Sequence, residues 1–311
     1  MIAPGQSGEC RVRINIDGVL RSVVYGYPCS IHVDPVEKKP LFHFLPGTKI
    51  LSLATVGCNL HCRNCQNWEI SQANPEDSRA FAYPPEKLVE LAKYYQCLSL
   101  AYTYSDPIIF YEYTYDTAKL AKSGGIRSVL VTAGYINPEP WKRLLGYIDA
   151  ANIDLKGITD DFYRRVCSGT LKPVQQAMVL AKASGILVEV THLIIPTLND
   201  KPEEIRQLVR WVKANLGGET PMHFSRFFPR YKMRHLPPTS LRTLDMAREI
   251  AISEGMEYVY IGNIRSEVGQ NTYCPACGAL LIERSQYTIL KNRLKKGCCP
   301  GCGRQIYGVW K

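Results

Sequence analysis

From Lys49 onward, apolar runs of strand length alternate with amphipathic stretches of helix length, and this alternation limits the fold more than any other feature. Strand candidates fall at 49–54, 98–102, 127–132, 151–155, 187–195 and 257–261, with 222–227 as a further one. Helical patterns follow at 85–95, 109–122, 139–146, 173–184, 202–216 and 240–254. Strands alternating with helices in this order read as parallel strands joined by crossover helices. The expectation is an α/β chain of six units closing into a partial (β/α)6-type barrel, with its chemistry at the C-terminal ends of the strands.

The flanks have a different character. Residues 10–33 alternate apolar and polar around Asp17-Gly18, a hairpin signal, and the prolines of PVEKKPLFHFLPG mark a non-helical connection to the first barrel strand. Near Ile264 the barrel pattern stops and a cysteine-rich tail begins. The expected division is an N-terminal β-hairpin and connecting segment over 1–48, a barrel over 49–265 and a metal ribbon over 266–311.

Composition sets limits on function. A chain of 311 residues with 46% hydrophobic content contains no run of eighteen apolar residues, and MIAPGQSGECRVR lacks the apolar centre of a signal peptide. A cytoplasmic protein with no membrane partner is expected. In such a compartment clustered cysteines bind metal more often than they pair, and seven of the twelve lie in C-x3-C-x2-C or C-x2-C groups. Cys10, Cys29, Cys97 and Cys167 read as small buried hydrophobes, and Cys298 beside Cys299 has no assigned role. The formal charge of +10 admits an anionic partner without choosing one.

Cys58, Cys62 and Cys65 offer three thiolates from one loop at a strand end, preceded by Gly57. A cluster of four irons ligated by three cysteines keeps one iron open. A zinc knuckle is the plainer alternative. Cys274-Pro-Ala-Cys277-Gly and Cys299-Pro-Gly-Cys302-Gly form two knuckles with the spacing of a closed four-thiolate site, read as zinc, with rubredoxin-like iron or an auxiliary cluster as the alternatives.

The C-x3-C-x2-C loop resembles the cluster motif of radical S-adenosylmethionine (SAM) enzymes. VDPVEKKPLFHFLPGTKIL, CRNCQNWEIS, AYTYSDPIIFYEY and NTYCPACG resemble the radical SAM member of the AmmeMemoRadiSam system, whose broader relatives are the pyruvate formate-lyase activating enzymes. The resemblance implies a radical SAM barrel holding a [4Fe-4S] cluster on Cys58, Cys62 and Cys65. It also implies SAM on the open iron, cleaved reductively to a 5'-deoxyadenosyl radical that abstracts hydrogen. It further implies an electron donor such as flavodoxin or ferredoxin, and Memo-like and AMMECR1-like partner proteins.

Contacts to SAM carry over position by position. Tyr104-Ser105-Asp106-Pro107 stands where the activating enzymes have Gly-Gly-Glu-Pro, which makes Tyr104 and Asp106 candidates, although Asp106 also reads as a helix N-cap. Thr132-Ala133-Gly134 replaces Thr-Asn-Gly and offers Thr132 and Gly134, the glycine through close backbone approach. Asp154-Leu155-Lys156 resembles the Asp-x-Lys pair that contacts SAM in the relatives, with Asp154 and Lys156 on one face of the strand, and a simple surface ion pair is the alternative reading. The 194–200 segment IIPTLND resembles the strand end that packs on adenine. Asn64 stands where many relatives have an aromatic residue. His223 and Arg226 suggest a substrate wall, with a satisfied core histidine as the alternative reading.

The function so implied is hydrogen abstraction from a protein, of the glycyl-radical-activating type, or from a small molecule. Two alternatives are a radical SAM enzyme acting on RNA, for which no RNA-binding module is present, and a non-catalytic metal-ribbon adaptor.

Overall fold

The computed structural model describes residues 2–77, 82–264, 266 and 269–311. Asp17 and Gly18, at φ 52° and 82°, make the two-residue turn between β1 (Arg13–Ile16) and β2 (Val19–Ser22). Two left-handed central residues are the type I′ pattern, which matches the twist of a hairpin. The remainder of the 10–33 segment does not stay in that cap. Ser30–Pro35 forms β3, which pairs antiparallel with β4 (Lys49–Ala54) and becomes the edge of the main sheet. Alternation identifies a strand but not its partner, and the open edge of β4 would otherwise leave a row of unpaired backbone groups. The connection after β3 also contains a single 3-10 turn, Val36–Lys38.

Seven strands run parallel: β4, β5 (Ser99–Tyr102), β6 (Arg127–Thr132), β7 (Ala150–Asp154), β8 (Leu187–Ile194), β9 (Met222–Arg226) and β10 (Val259–Gly262). Their order, β10-β9-β8-β7-β6-β5-β4-β3, is sequential and open, which is a partial barrel. The helices are α1 (Trp68–Ser71), α2 (Pro85–Tyr94), α3 (Tyr111–Ser123), α4 (Pro138–Leu145), α5 (Asp160–Phe162), α6 (Leu171–Ala183), α7 (Pro202–Leu216) and α8 (Leu241–Ser253). Proline at the first position starts α2, α4 and α7, where its missing N–H has no partner to lose. Ser240 caps α8 by accepting from Thr243 N. No helix among the described residues is long and apolar enough to cross a membrane.

The strands divide their faces as alternation dictates. Val188 and Val190 of β8 face the helices and join the main core, while Glu189, Thr191 and Leu193 share the opposite, inner face. Thr191 and Leu193 line a cavity at the C-terminal end of the barrel, and Glu189, below them, is fully buried. The Glu189 carboxylate accepts from Phe42 N (3.1 Å), His43 N (2.7 Å) and His223 Nε2 (2.5 Å). Asn152 of β7 donates to Pro40 O at 2.8 Å. The connecting segment is thereby drawn across the barrel and forms the floor of the cavity.

The tail folds as β11 (Thr272–Tyr273), β12 (Leu280–Ser285) and β13 (Thr288–Asn292), an antiparallel sheet packed on that floor. Tyr258 and Tyr260 meet Leu281, Ile282 and Ile306 there. Polar bonds lock the seam: His43 Nε2 and Tyr260 Oη lie 2.6 Å apart, Tyr260 Oη meets Thr272 Oγ1 at 2.8 Å, and Arg284 donates to Thr272 Oγ1 and Phe42 O, each at 2.7 Å.

Burial pushes the His43 imidazole down from 6.5 to about 4. Above pH 6.5 it is neutral in both states. As pH falls through 6.5 the unfolded chain takes up the proton and the folded chain does not until about 4, so stability is lost across that window. Urea unfolding at pH 7 and pH 5 should show an acid loss about 2 kcal/mol larger in wild type than in His43→Gln.

Candidate cofactor cavity and metal centre

The loop after β4 is held from all sides before any ligand is considered. His61 N donates to Cys167 O (3.0 Å), Arg63 N to Val166 O (2.9 Å) and Gly57 N to Ile70 O (2.9 Å). Asn59 Nδ2 donates to Tyr135 O and Asn67 Nδ2 to Tyr104 O, each at 2.8 Å. Gly57 sits at φ 92°, and a Cβ there would lie 2.6 Å from Cys10 O. The glycine serves the close packing of the N-terminal segment over the loop as well as the turn itself.

Cys58, Cys62 and Cys65 all line the cavity of about 400 Å³ at the top of the barrel. Burial pushes the Cys58 and Cys65 thiols up. Cys62 goes the other way, because its hydrogen bond with Cys167 lowers it and raises Cys167 in turn. Cys167 ends a π-type turn, Tyr163–Cys167, that follows α5 and closes on left-handed Ser168. Nothing in the sequence marks that cysteine as a neighbour of the loop, since a three-residue helix and one wide turn leave no periodicity to read.

The expected SAM contacts fall into two groups. Asp154 and Lys156 face the cavity as a 2.7 Å ion pair. Burial works against the Lys156 ammonium, but Asp154 and the sulfurs of Cys62 and Cys167 outweigh it and raise its pKa. The second group is spent largely on the protein itself. Asp106 accepts from Thr132 Oγ1 (2.7 Å), Ala133 N (2.9 Å) and Ile108 N (3.2 Å), and burial raises its carboxyl. Thr132 Oγ1 also accepts from Gly134 N at 3.0 Å. Asp106 and Thr132 do line the cavity, and Gly134 stands outside its lining, at φ 65°, where a Cβ would come within 3.3 Å of Ile153 and Ala177. The Tyr104 hydroxyl donates to Asp34 and its carbonyl is taken by Asn67, although the residue lines the cavity.

Two buried acceptors in the cavity wall have no partner: Asn64 Oδ1 and Thr191 Oγ1. An orphaned buried polar atom is costly, and a polar ligand in the cavity would satisfy it. Leu193 and Ile195 supply apolar wall, and Asn199 fixes that strand end by accepting from Ile195 N (2.6 Å) and donating to Lys156 O (2.9 Å) and Leu193 O (3.0 Å). Thiols, paired charges, orphaned acceptors and an apolar wall fit a thiolate-held cluster with SAM beside it.

The tail site differs in kind. The sulfurs of Cys274, Cys277, Cys299 and Cys302 lie within 4.8 Å of one another, with Cys274 and Cys302 3.5 Å apart and Cys277 and Cys299 3.7 Å apart. A tetrahedron with metal–sulfur bonds of about 2.3 Å has edges of about 3.8 Å. These four therefore fit a single ion. Among the described residues no other set of three or more such donors converges this closely. Cys298 is not in the set; its sulfur meets Gln305 Oε1 at 3.0 Å. His223, buried against Glu189 and stacked on Tyr260 at 5.1 Å, is a satisfied core histidine that also lines a neighbouring cavity, and Arg226 donates to Thr239 O at 2.8 Å.

After anaerobic loading, Cys58→Ser, Cys62→Ser and Cys65→Ser should each lose most of the iron and keep the tail metal, and Cys277→Ser the reverse. Metal analysis of the four proteins checks this, and a tail variant that lost its iron in parallel would show one shared centre.

The chain matches the model of the Radical SAM superfamily over residues 52–212. It is 49% identical to an uncharacterized protein of Methanocaldococcus jannaschii over 98% of this chain and 92% of that one. It is 26% identical to the pyruvate formate-lyase-activating enzyme of Clostridium pasteurianum over 50% of this chain and 66% of that one. Among solved structures, a radical SAM methyltransferase from Sphaerobacter thermophilus shares the fold at TM-score 0.54 and 15% identity, covering 76% of this chain and 71% of that one. SuiB of Streptococcus suis, solved with its precursor peptide SuiA, gives TM-score 0.54 at 13% identity, covering 74% and 51%. Fold, cysteine loop and family match agree, and the chain belongs to the radical SAM superfamily.

Proposed function

We propose that this protein is a radical SAM enzyme of the activating-enzyme type, abstracting hydrogen from a carbon centre of a protein or small-molecule substrate. The observation that carries the reading is the cavity in which Cys58, Cys62 and Cys65 meet Asp154 and Lys156. When bound there, a [4Fe-4S] cluster and SAM would supply reductive cleavage of the sulfonium bond and the hydrogen abstraction that follows.

The protein's own groups do the binding and the shielding. Lys156 is the cation suited to a carboxylate, and Asp154 is the acceptor suited to an ammonium or to sugar hydroxyls. Asn64 Oδ1 and Thr191 Oγ1 can accept from a nucleoside, and Leu193 and Ile195 give its base an apolar wall. Asp106 and Thr132 bond the end of β6 to the loop after β5 and would face a ligand from the cavity wall. Cys167 lies beside Cys62 and lowers the pKa of its thiol. The four tail thiolates would hold one ion, zinc in this reading, in a closed structural site, since four converging sulfurs leave no open position.

The flanking segments PVEKKPLFHFLPG and NTYCPACG, which build the floor and the ribbon, support placing the enzyme with the AmmeMemoRadiSam radical SAM proteins. Flavodoxin-type or ferredoxin-type donors and Memo-like or AMMECR1-like proteins are the partners that this placement would bring.

With dithionite and SAM under anaerobic conditions, the loaded protein should form 5'-deoxyadenosine and Cys62→Ala should form none. A fully loaded, reducible protein that gives no 5'-deoxyadenosine would contradict the reading. Lys156→Met should weaken SAM binding, read by equilibrium dialysis, at least ~10-fold, the equivalent of ~1.4 kcal/mol.

A further inference from the structure

Next to the cofactor cavity lies a second one, of about 570 Å³. The ends of β9 and β10, the connecting segment and the tip of the β12–β13 hairpin enclose it. Lys38, Asn263 and Tyr287 line both cavities, so the two communicate. Gln286 and Tyr287 come from the ribbon, whose tip therefore forms part of the wall around the reaction space.

Among the described residues, cations outnumber acids in the lining of this space. Asp34 lies between two ammonium groups, Lys38 Nζ at 2.8 Å and Lys39 Nζ at 2.6 Å, and also accepts from the Tyr104 hydroxyl. One carboxylate shared by two lysines leaves a net positive charge where the cavities join. Lys39 is buried, whereas Lys38 is 43% exposed and can turn to a ligand. Arg230 lines the second cavity, is exposed, and meets no carboxylate among the described residues. Glu37 is the acidic group in the described lining; it is fully buried and one of its oxygens accepts from Gly47 N at 2.8 Å, away from the exposed cations. Amides of Gln66 and Gln286 add hydrogen-bonding capacity beside them.

We propose that the second cavity is the substrate site and that it takes an anionic substrate, a carboxylate or a phosphate, anchored by Lys38 and Arg230 and walled by Tyr287. The assignment rests on the cofactor reading above, because the site is defined by its opening onto the SAM cavity. Paired cations hold such anions through charge-assisted hydrogen bonds, and the ribbon, although remote from the cluster loop in sequence, would help to set which substrates enter.

The test is calorimetry on the metal-loaded, SAM-saturated protein under anaerobic conditions, titrated with inorganic phosphate and, separately, with malonate. One anion per chain is expected to bind. Lys38→Met and Arg230→Met should each weaken it about fivefold or more, the equivalent of ~1 kcal/mol. Arg143→Met, on the exposed face of α4, should not change it. Preference for phosphate would mark a phosphorylated substrate and preference for malonate a carboxylate. Binding of neither anion, or equal binding by wild type and both cavity variants, would overturn the proposal. SAM titration of the same proteins separates the two levels: retained SAM binding without anion binding refutes the substrate site alone, and absent SAM binding refutes the cofactor reading beneath it. Circular dichroism melts confirm that each variant is folded.

Discussion

A carboxylate with no exposure to water organises this molecule. Glu189 sits on the inner face of β8 and accepts from two consecutive backbone amides of the connecting segment and from the ring of His223. Burial alone would raise its pKa, but His223 and the other donors hold it below the ordinary carboxylate value, so it persists as an anion. Burying a charge costs several kcal/mol unless its lone pairs are satisfied, and here three donors converge on it. The consequences spread outward. The bond fixes the proton of His223 on Nε2, pins Phe42 and His43 across the barrel, and presents the surface on which Tyr260, Thr272 and Arg284 join the ribbon to the barrel. Without this floor the cavity above would open through the bottom of the sheet.

On that platform the protein carries two separate sets of thiols. The tail brings four sulfurs within the span of one tetrahedral ion, and the loop after β4 places three sulfurs on the wall of a cavity. The tail set is rigid because each knuckle turns on a left-handed glycine, Gly278 at φ 73° and Gly303 at φ 77°. The loop set is rigid because neighbouring elements grip its backbone. Lys156 near Cys62 and Asp154 near Lys156 then place a cation and an anion beside the sulfurs, an arrangement suited to a zwitterionic ligand.

The parallel strands and their crossover helices were legible in the sequence because each carries a periodicity, and 202–216 was recovered to the residue. The two cysteine groups, as candidate metal ligands, were legible from spacing. What escaped had no local signal. The pairing of Ser30–Pro35 with β4 depends on an edge that only the assembled sheet presents. Cys167 reaches Cys62 through a π-type turn, and Glu189 looks like an interruption in an apolar strand until the segment it holds is in place. The candidate ligands Asp106, Thr132 and Gly134 were legible as a group, but their strongest bonds are to one another, because two adjacent loops at a barrel mouth must be joined before they can serve a ligand.

The central claim is that the three loop cysteines leave one iron of a cluster open to SAM in the cavity beside Asp154 and Lys156. Low-temperature electron paramagnetic resonance of the reduced, loaded protein, recorded with and without SAM, tests it most directly, since a ligand on an open iron changes the spectrum of the cluster. A signal that shifts on adding SAM, and that Lys156→Met makes harder to shift, is the expected result. A reduced [4Fe-4S] signal that SAM leaves unchanged would contradict the account.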